Sequence, residues 1–485
     1  MTTIKITTAP RCLLASGLLV AALPSLTGCI GVDATEPRGD AVSLAAPRVV
    51  DAEALELLRA DPTASSVDWR TSDPLDLDTA IGVAMSRDAE VRRALAEVDR
   101  VQGLLAQADR APNPVVQLAL GVPIDGLSGA PGMGMLVQQL TWLWTRPHRL
   151  DAAEAHLQES ILAAGQAIVE LDADVRRRHA TAAIATERAG LDRAYADSVS
   201  GFASIVEALF EVGEASRIDL DRTRVETSEA EVAARSSEIA ARLARIELLG
   251  AMGLPGIDSR FDVVGRHQEP TLEEAPAESL VVELAATARL DVAGAGLKVV
   301  EMEALKGLAG TKRLPEVGAS LGWNRSFMDR EAVLPGFTAS VPILDDGTPA
   351  IAIADAELRR AVLQLLETRR TAIASARAAR ETLEQALVRH AGYADTVLGP
   401  ARNAERLSTE AYEEGVVDLT VVLLAQRRRI EAERRTLQFR LDEALAFVDL
   451  EVAVGGSLEL APEPPVVPST TDRLARRDDS TGDRR

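Results

Sequence analysis

The stretch YEEGVVDLTVVLLAQRRRIEAERRTL, residues 412–437, repeats in outline FEVGEASRIDLDRTRVETSEAEV, residues 210–232. Each copy runs aromatic, two residues, glycine, a small or apolar turn, an aspartate, and then a long charged segment. A glycine there supplies the left-handed residue that ends one helix and lets the next begin. Gly213 and Gly415 therefore read as the reversal points of two long antiparallel helical hairpins. After Gly213, Ile218, Val225, Val232, Ile239 and Ile246 recur every seventh position; after Gly415, so do Leu423, Ile430 and Leu437. Both series read as coiled-coil seams. They fall in different phases under the repeat offset, so the two hairpins cannot present identical seams.

Upstream of the first reversal, Leu150, Leu157, Ile161, Ala164, Ile168, Leu171 and Val175 alternate steps of seven, three and four. From Pro147, a favourable first-turn proline, to Gly213 there is no strong breaker. At 1.5 Å per residue such a helix is on the order of 100 Å long.

The same order of elements precedes each hairpin. Pro114 in PNPVVQLALG aligns with Pro315 in LPEVGASLG, about 200 residues on. Period-two alternation follows each proline, with Pro114, Val116, Leu118, Leu120 and Val122 on one face and Val115, Gln117, Ala119 and Gly121 on the other. Strands are expected at about 113–124, 132–144, 315–328 and 336–344, preceded by helices over 77–110 and 279–312. The chain thus divides into a targeting segment (1–28), a polar lead-in (29–74) with a short helical patch DAEALELLRA, a first repeat (75–255), a linker (256–276), a second repeat (277–456) and a tail (457–485) whose Pro-rich, charged composition predicts disorder.

Composition fits long helices: of 485 residues 47% are hydrophobic and only 3% aromatic. The net charge of −21 argues against nucleic acid, because nothing would neutralise phosphates. The two cysteines, Cys12 and Cys29, both lie in RCLLASGLLVAALPSLTGCIG. Lys5 and Arg11 form a positive n-region, and an apolar stretch leads to Leu26-Thr27-Gly28-Cys29. This resembles a bacterial lipobox, which implies a covalent lipid on Cys29; an ordinary secretory signal cleaved nearby is the other reading. Ile30 follows the cysteine instead of the aspartate that implies retention at the inner membrane, so the resemblance implies the outer membrane. No apolar run beyond the signal reaches the roughly 18 residues of a spanning helix, so any crossing must use strands.

Catalysis finds no support. His148, His156, His179, His267 and His390 show no metal-ligand spacing, and no nucleophile-elbow, phosphate-loop or dinucleotide fingerprint occurs in a workable context. No enzyme activity, metal or cofactor other than the lipid is expected. Met133 and Met135 read as packing.

The order helix, strand pair, long helical hairpin, written twice behind a lipobox, resembles the TolC-type outer-membrane efflux channel family. The matching pieces are RDAEVRRALAEVDRVQ, PNPVVQLALG, LPEVGASLG, VPILDDG leading into ADAELRRA, YEEGVVDLTVVLLAQRRR, LGAMGLP and VAVGG; their order and spacing carry the likeness. The resemblance implies a mainly α fold with a β-barrel portion, assembled as a homotrimer with a twelve-stranded barrel and a helical periplasmic tunnel. It implies a periplasmic adaptor docked near Gly213 and Gly415 and an inner-membrane pump, with the chain as passive exit duct of a tripartite efflux or type I secretion-like system. It also implies acid rings at the periplasmic reversal. Where the family commonly carries an acid before Ala-Gln, this chain has Leu424, so an apolar constriction at Leu423 or Leu424 is expected. Asp219, Asp221 and Asp418 remain as ring candidates, or as solvated helix-start carboxylates. Trp142 and Trp144 suit an interfacial aromatic girdle, or simple packing where barrel meets helix. The other function class is a periplasmic coiled-coil lipoprotein acting as adaptor or scaffold, which would have one hairpin beside compact β domains or no such strands.

Overall fold

The computed structural model describes residues 35–49, 69–122, 131–264, 274–326 and 330–458. Cys29, the patch DAEALELLRA and the tail after 458 lie outside the described residues. The elements are α1 (Thr35–Ala45), α2 (Leu77–Arg87), α3 (Ala89–Asp109), β1 (Val115–Leu120), β2 (Gly132–Gln139), α4 (Trp142–Glu211), α5 (Arg217–Ala251), α6 (Glu278–Thr287), α7 (Leu290–Gly310), β3 (Glu316–Arg325), β4 (Glu331–Ser340), α8 (Thr348–Tyr393), α9 (Gly399–Glu413) and α10 (Leu419–Val454). A single π turn, Ala394–Leu398, joins α8 to α9. α4 is 70 residues long, about 105 Å at 1.5 Å per residue.

Several boundaries differ from the expectations. The helix read over 77–110 is two helices, because Asp88 takes an extended backbone (φ −62, ψ 129) and its carboxylate accepts from the amides of Glu90 and Val91. Arg289 (φ −70, ψ 132) breaks the counterpart between α6 and α7. β2 ends at Gln139, not 144. The chain turns helical at Trp142, so Pro147 lies inside α4 and not in its first turn. There it withholds one N–H from the preceding turn, a loss confined to the first two turns of the helix. β4 starts at Glu331, five residues before the expected start, because Pro335 sits within an outer strand, where a missing ladder donor is tolerated.

The four strands form one antiparallel sheet in the order β1-β2-β3-β4. Register assigns its faces. Val116, Leu118 and Leu120 lie beside Leu136, Gly134 and Gly132, which continue into Leu321, Trp323 and Arg325 and then Pro335, Val333 and Glu331. That face, which also carries Phe337, is apolar except for Gln138 and, at its far end, Arg325 and Glu331. The opposite face mixes small or polar residues, among them Gln117, Gln139, Gly318, Ser320, Asn324, Thr338 and Ser340, with the apolar Val115, Val137, Met133, Met135 and Leu334. Glycines 132 and 134 serve the apolar face: a Cβ on Gly132 would sit 3.4 Å from the Trp323 ring, which lies across both.

The main core lies where α1, α2 and α3 pack on α4. Ile81, Met85, Leu95, Ile161, Ile168 and Leu248 are fully buried there. A strap through α1 ties the two repeats. Arg48, buried just beyond α1, donates to the carbonyl of Ala288 (3.4 Å), and its own carbonyl accepts from Ser457 N–H (3.3 Å). Gly456 leaves room for it, since a Cβ there would meet the Arg48 side chain at 2.6 Å.

The seam after Gly213 does not pack within the protomer. Ile218, Val225, Val232, Ile239 and Ile246 are 51–68% exposed. α5 instead turns Leu220, Thr223, Ala230, Ala234, Ser237, Ala241 and Leu248 inward against α4. Small residues let the two helices approach closely, and the larger β-branched stripe is left outside.

Candidate channel entrance

Gly213 (φ 80) and Gly415 (φ 75) reverse the two hairpins as read from the sequence. The bonding around them is the same. Glu214 N–H donates to Leu209 O and Val416 N–H to Ala411 O, both at 2.8 Å, closing the preceding helix with its orphan carbonyls satisfied. Neither glycine has a neighbour within 4 Å of where a Cβ would stand, so only the backbone sign demands glycine there.

The returning helices start from side-chain caps. Ser216 and Asp219 form a reciprocal capping box. Asp418 caps α10, accepting from Val421 N–H at 3.3 Å. Asp221 pairs with Arg217 at 3.1 Å. All three carboxylates thus have local structural roles at helix starts, where the helix dipole also favours negative charge.

Beside the reversals lies a cleft of about 620 Å³ between α5 and α10. It gathers every gate candidate except Asp418: Asp219 and Asp221 from α5, Leu423 and Leu424 from α10. Leu423 is half-buried and Leu424 is exposed. Ile218 and Val225, the first two residues of the exposed stripe, line the same cleft.

The cleft also contains an ionic tie that the sequence reading missed. Arg427 of α10 bridges Glu226 (2.9 Å) and Glu229 (2.6 Å) of α5. Glu226 also accepts from the Tyr195 hydroxyl at 2.6 Å, and Arg222 donates to Thr420 Oγ1 at 3.2 Å. Burial and the Glu226 carboxylate push the Tyr195 phenol far above its ordinary value, so it remains a neutral donor. The neighbouring Glu226 carboxylate raises the Arg427 guanidinium further. Two more rungs continue along α10: Arg434 to Asp192 (2.6 Å, Asp192 buried) and Arg440 to Glu187 (2.9 Å). The visible signal was the basic run Arg427-Arg428-Arg429 against the pair Glu226 and Glu229, spaced three apart to share one helix face.

At the other end of α4, Trp142 and Trp144 are half-buried directly below the sheet, joined to it by the bond from Val317 N–H to Thr141 Oγ1 (3.0 Å). No helix among the described residues is long and apolar enough to cross a membrane, which says nothing of a β-barrel.

A four-stranded sheet continuous with two helical hairpins, one of them opening on a 70-residue helix, has close counterparts among solved structures. A membrane protein from Pseudomonas aeruginosa superposes with a TM-score of 0.66 at 19% identity, over 82% of this chain and 98% of that one. The Campylobacter jejuni CmeC outer membrane channel matches with a TM-score of 0.67 at 14% identity, over 86% of this chain and 94% of that one. The fold is that of the TolC-type outer-membrane channels. The open state of the Neisseria gonorrhoeae MtrE outer membrane channel matches at 0.66 and 16% identity, over 80% and 91%. No protein-family model matches the chain, and no curated protein matches it. The TolC-type fold is therefore carried by architecture and not by close sequence kinship.

Proposed function

We propose that this chain is one third of an outer-membrane duct, a passive exit channel fed by an inner-membrane pump through a periplasmic adaptor. The observation that carries the reading is the sheet. Among the described residues β1 and β4 each pair on one side only, so the sheet has two open edges, and the face with Leu118, Leu120, Trp323 and Phe337 is the more apolar. In lipid each unpaired backbone group costs several kcal/mol, so such a sheet is stable only when closed. Three copies make twelve strands, within the even-numbered range of bacterial barrels, with the more apolar face toward lipid and the mixed face toward the lumen. Trp142 and Trp144 then lie at the membrane boundary, where amphipathic rings are favoured.

The helices support the same closure. The exposed stripe of α5 and exposed Ile353, Leu363 and Leu366 on α8 are apolar surfaces on helices that pack on different neighbours. A head-to-tail ring brings such unlike surfaces together. An adaptor or scaffold reading leaves both the sheet edges and the stripe without a use. Two of the proteins with this fold named above, CmeC and MtrE, are outer-membrane channels, which supports the same role here.

A lipid on Cys29 fits this placement. Five residues lie between it and Thr35, at most about 20 Å of chain. Arg38 is paired with Asp99 at 3.2 Å, about 15 Å along α3 from its strand-side end. Cys29→Ala abolishes fatty-acid labelling if the lipid is there; unchanged labelling contradicts it.

The entrance is assigned to the cleft between α5 and α10, with Leu423 and Leu424 as an apolar constriction, Asp418, Asp219 and Asp221 as its remaining charge, and the adaptor docking around Gly213 and Gly415. In planar bilayers Leu424→Ser raises single-channel conductance more than Asp418→Asn does, whereas Asp418→Asn weakens divalent-cation block more. The reverse ranking puts Leu424 outside the gate, and absence of any pore in the wild type contradicts the duct itself.

A further inference from the structure

The three residues His156, Glu159 and Glu301 bring one imidazole and two carboxylates together where α4 of the first repeat crosses α7 of the second. His156 and Glu159 are three apart on α4 and so share a face. Glu301 comes from a helix more than a hundred residues away in sequence, which is why no ligand spacing was visible. His156 Nδ1 lies 3.5 Å from Glu159 Oε2 and 3.8 Å from Glu301 Oε2. Ligands held at 2.0–2.2 Å around a tetrahedral ion are separated by about 3.3–3.6 Å, so these spacings need only a few tenths of an ångström of adjustment. The same Nδ1 is buried and has no hydrogen-bond partner. A proton shared with the two carboxylates or an ion held by all three groups would satisfy that nitrogen.

Lys298 stands beside this group, its ammonium 2.7 Å from Glu301 Oε2 and 3.5 Å from Glu159 Oε2. One ammonium against two carboxylates leaves a net negative charge that favours another cation. The lysine side chain is 40% exposed and has open water to move into.

We propose that His156, Glu159 and Glu301 bind a borderline divalent transition-metal ion, of the zinc, nickel or copper(II) kind, with Lys298 as the internal competitor that the ion displaces. Mixed imidazole and carboxylate donors suit these ions, whereas magnesium demands an octahedral oxygen shell that this set does not supply. The ion pins α4 to α7 about 21 Å below Trp142, measured along α4, and so clamps the two repeats close to the sheet.

The test uses the full chain in detergent, purified without a histidine tag and stripped with a chelator, and titrated with zinc chloride by calorimetry and by thermal unfolding. One zinc ion per chain, a melting temperature raised by zinc and not by magnesium, and loss of both effects in His156→Ala and in the near-isosteric Glu301→Gln are expected. Lys298→Met tightens zinc binding by about tenfold or more, because a positive charge within a few ångströms of the ion is removed. Zinc binding that survives both ligand substitutions overturns the proposal. So does an absence of zinc binding in the wild type, whether or not Lys298→Met binds.

Discussion

The two returning helices, α5 and α10, begin alike and finish differently. Each follows a glycine in the left-handed region and a capped first turn. α10 packs on both α4 and α8 and buries Ile430 to 1% exposure against Tyr195, Val199 and Ala234. α5 packs along its length on α4, buries alanines there, and leaves its Ile and Val stripe outside. The phase difference between the two heptad series now has a physical account. The second series faces the middle of the protomer, and the first faces what lies beyond it. A duplicated hairpin whose copies take unlike positions keeps its backbone and changes which stripe carries the large residues.

This comparison can be broken most decisively at the stripe. Val232→Asp combined with Ile239→Asp should abolish the trimer in size-exclusion chromatography with light scattering, while far-UV circular dichroism stays helical. Each apolar side chain buried at an interface contributes about 1.5–3 kcal/mol, repeated at every contact of the ring. A trimer that tolerates both charges means the stripe faces water. Next in size, Ile430→Ala should cost the protomer about 2–5 kcal/mol in denaturant unfolding, against about 0.5 kcal/mol or less for Val232→Ala in a dissociated chain. Equal costs erase the distinction between the helices. Gly213→Ala and Gly415→Ala should each cost about 1–2 kcal/mol, since both need the same left-handed backbone and neither has a steric neighbour. Unequal costs show that the reversals are not equivalent after all. Smallest is Arg427→Ala, about 1 kcal/mol or less in stability because Arg427 is 46% exposed. Its effect is read instead as a larger open fraction in single-channel records.

Local rules account for what was legible. Period-two runs after Pro114 and Pro315 mark β1 and β3, the apolar stretch that follows each marks its partner strand, and glycines after an aromatic mark two reversals. The core side of α4 followed from Leu157, Ile161, Ile168 and Val175, all buried. What failed needed neighbours. A heptad shows that a stripe exists but not whether its partner is in the same chain, and on α5 the stripe stays exposed in the protomer. The strand-to-helix junction was misjudged because TWLWTRP satisfies both a β pattern and a helix start; the bond between Val317 and Thr141 decides it. The break at Asp88 was available in principle from its capping side chain before Ala-Glu-Val, but a continuous apolar stripe hid it. The ionic tie at Arg427 and the group around His156 join residues from different repeats, beyond any local spacing.

The central claim is that the protomer is an incomplete piece of a closed channel, its two sheet edges and its α5 stripe completed by copies of itself. The most direct test is the mass of the detergent-solubilised particle by native mass spectrometry after the detergent is stripped. A mass of three chains that survives dilution, from the same fraction that inserts pores into planar bilayers, is the predicted result. A single-chain mass in a fraction that retains its helical content and inserts no pore would contradict the account.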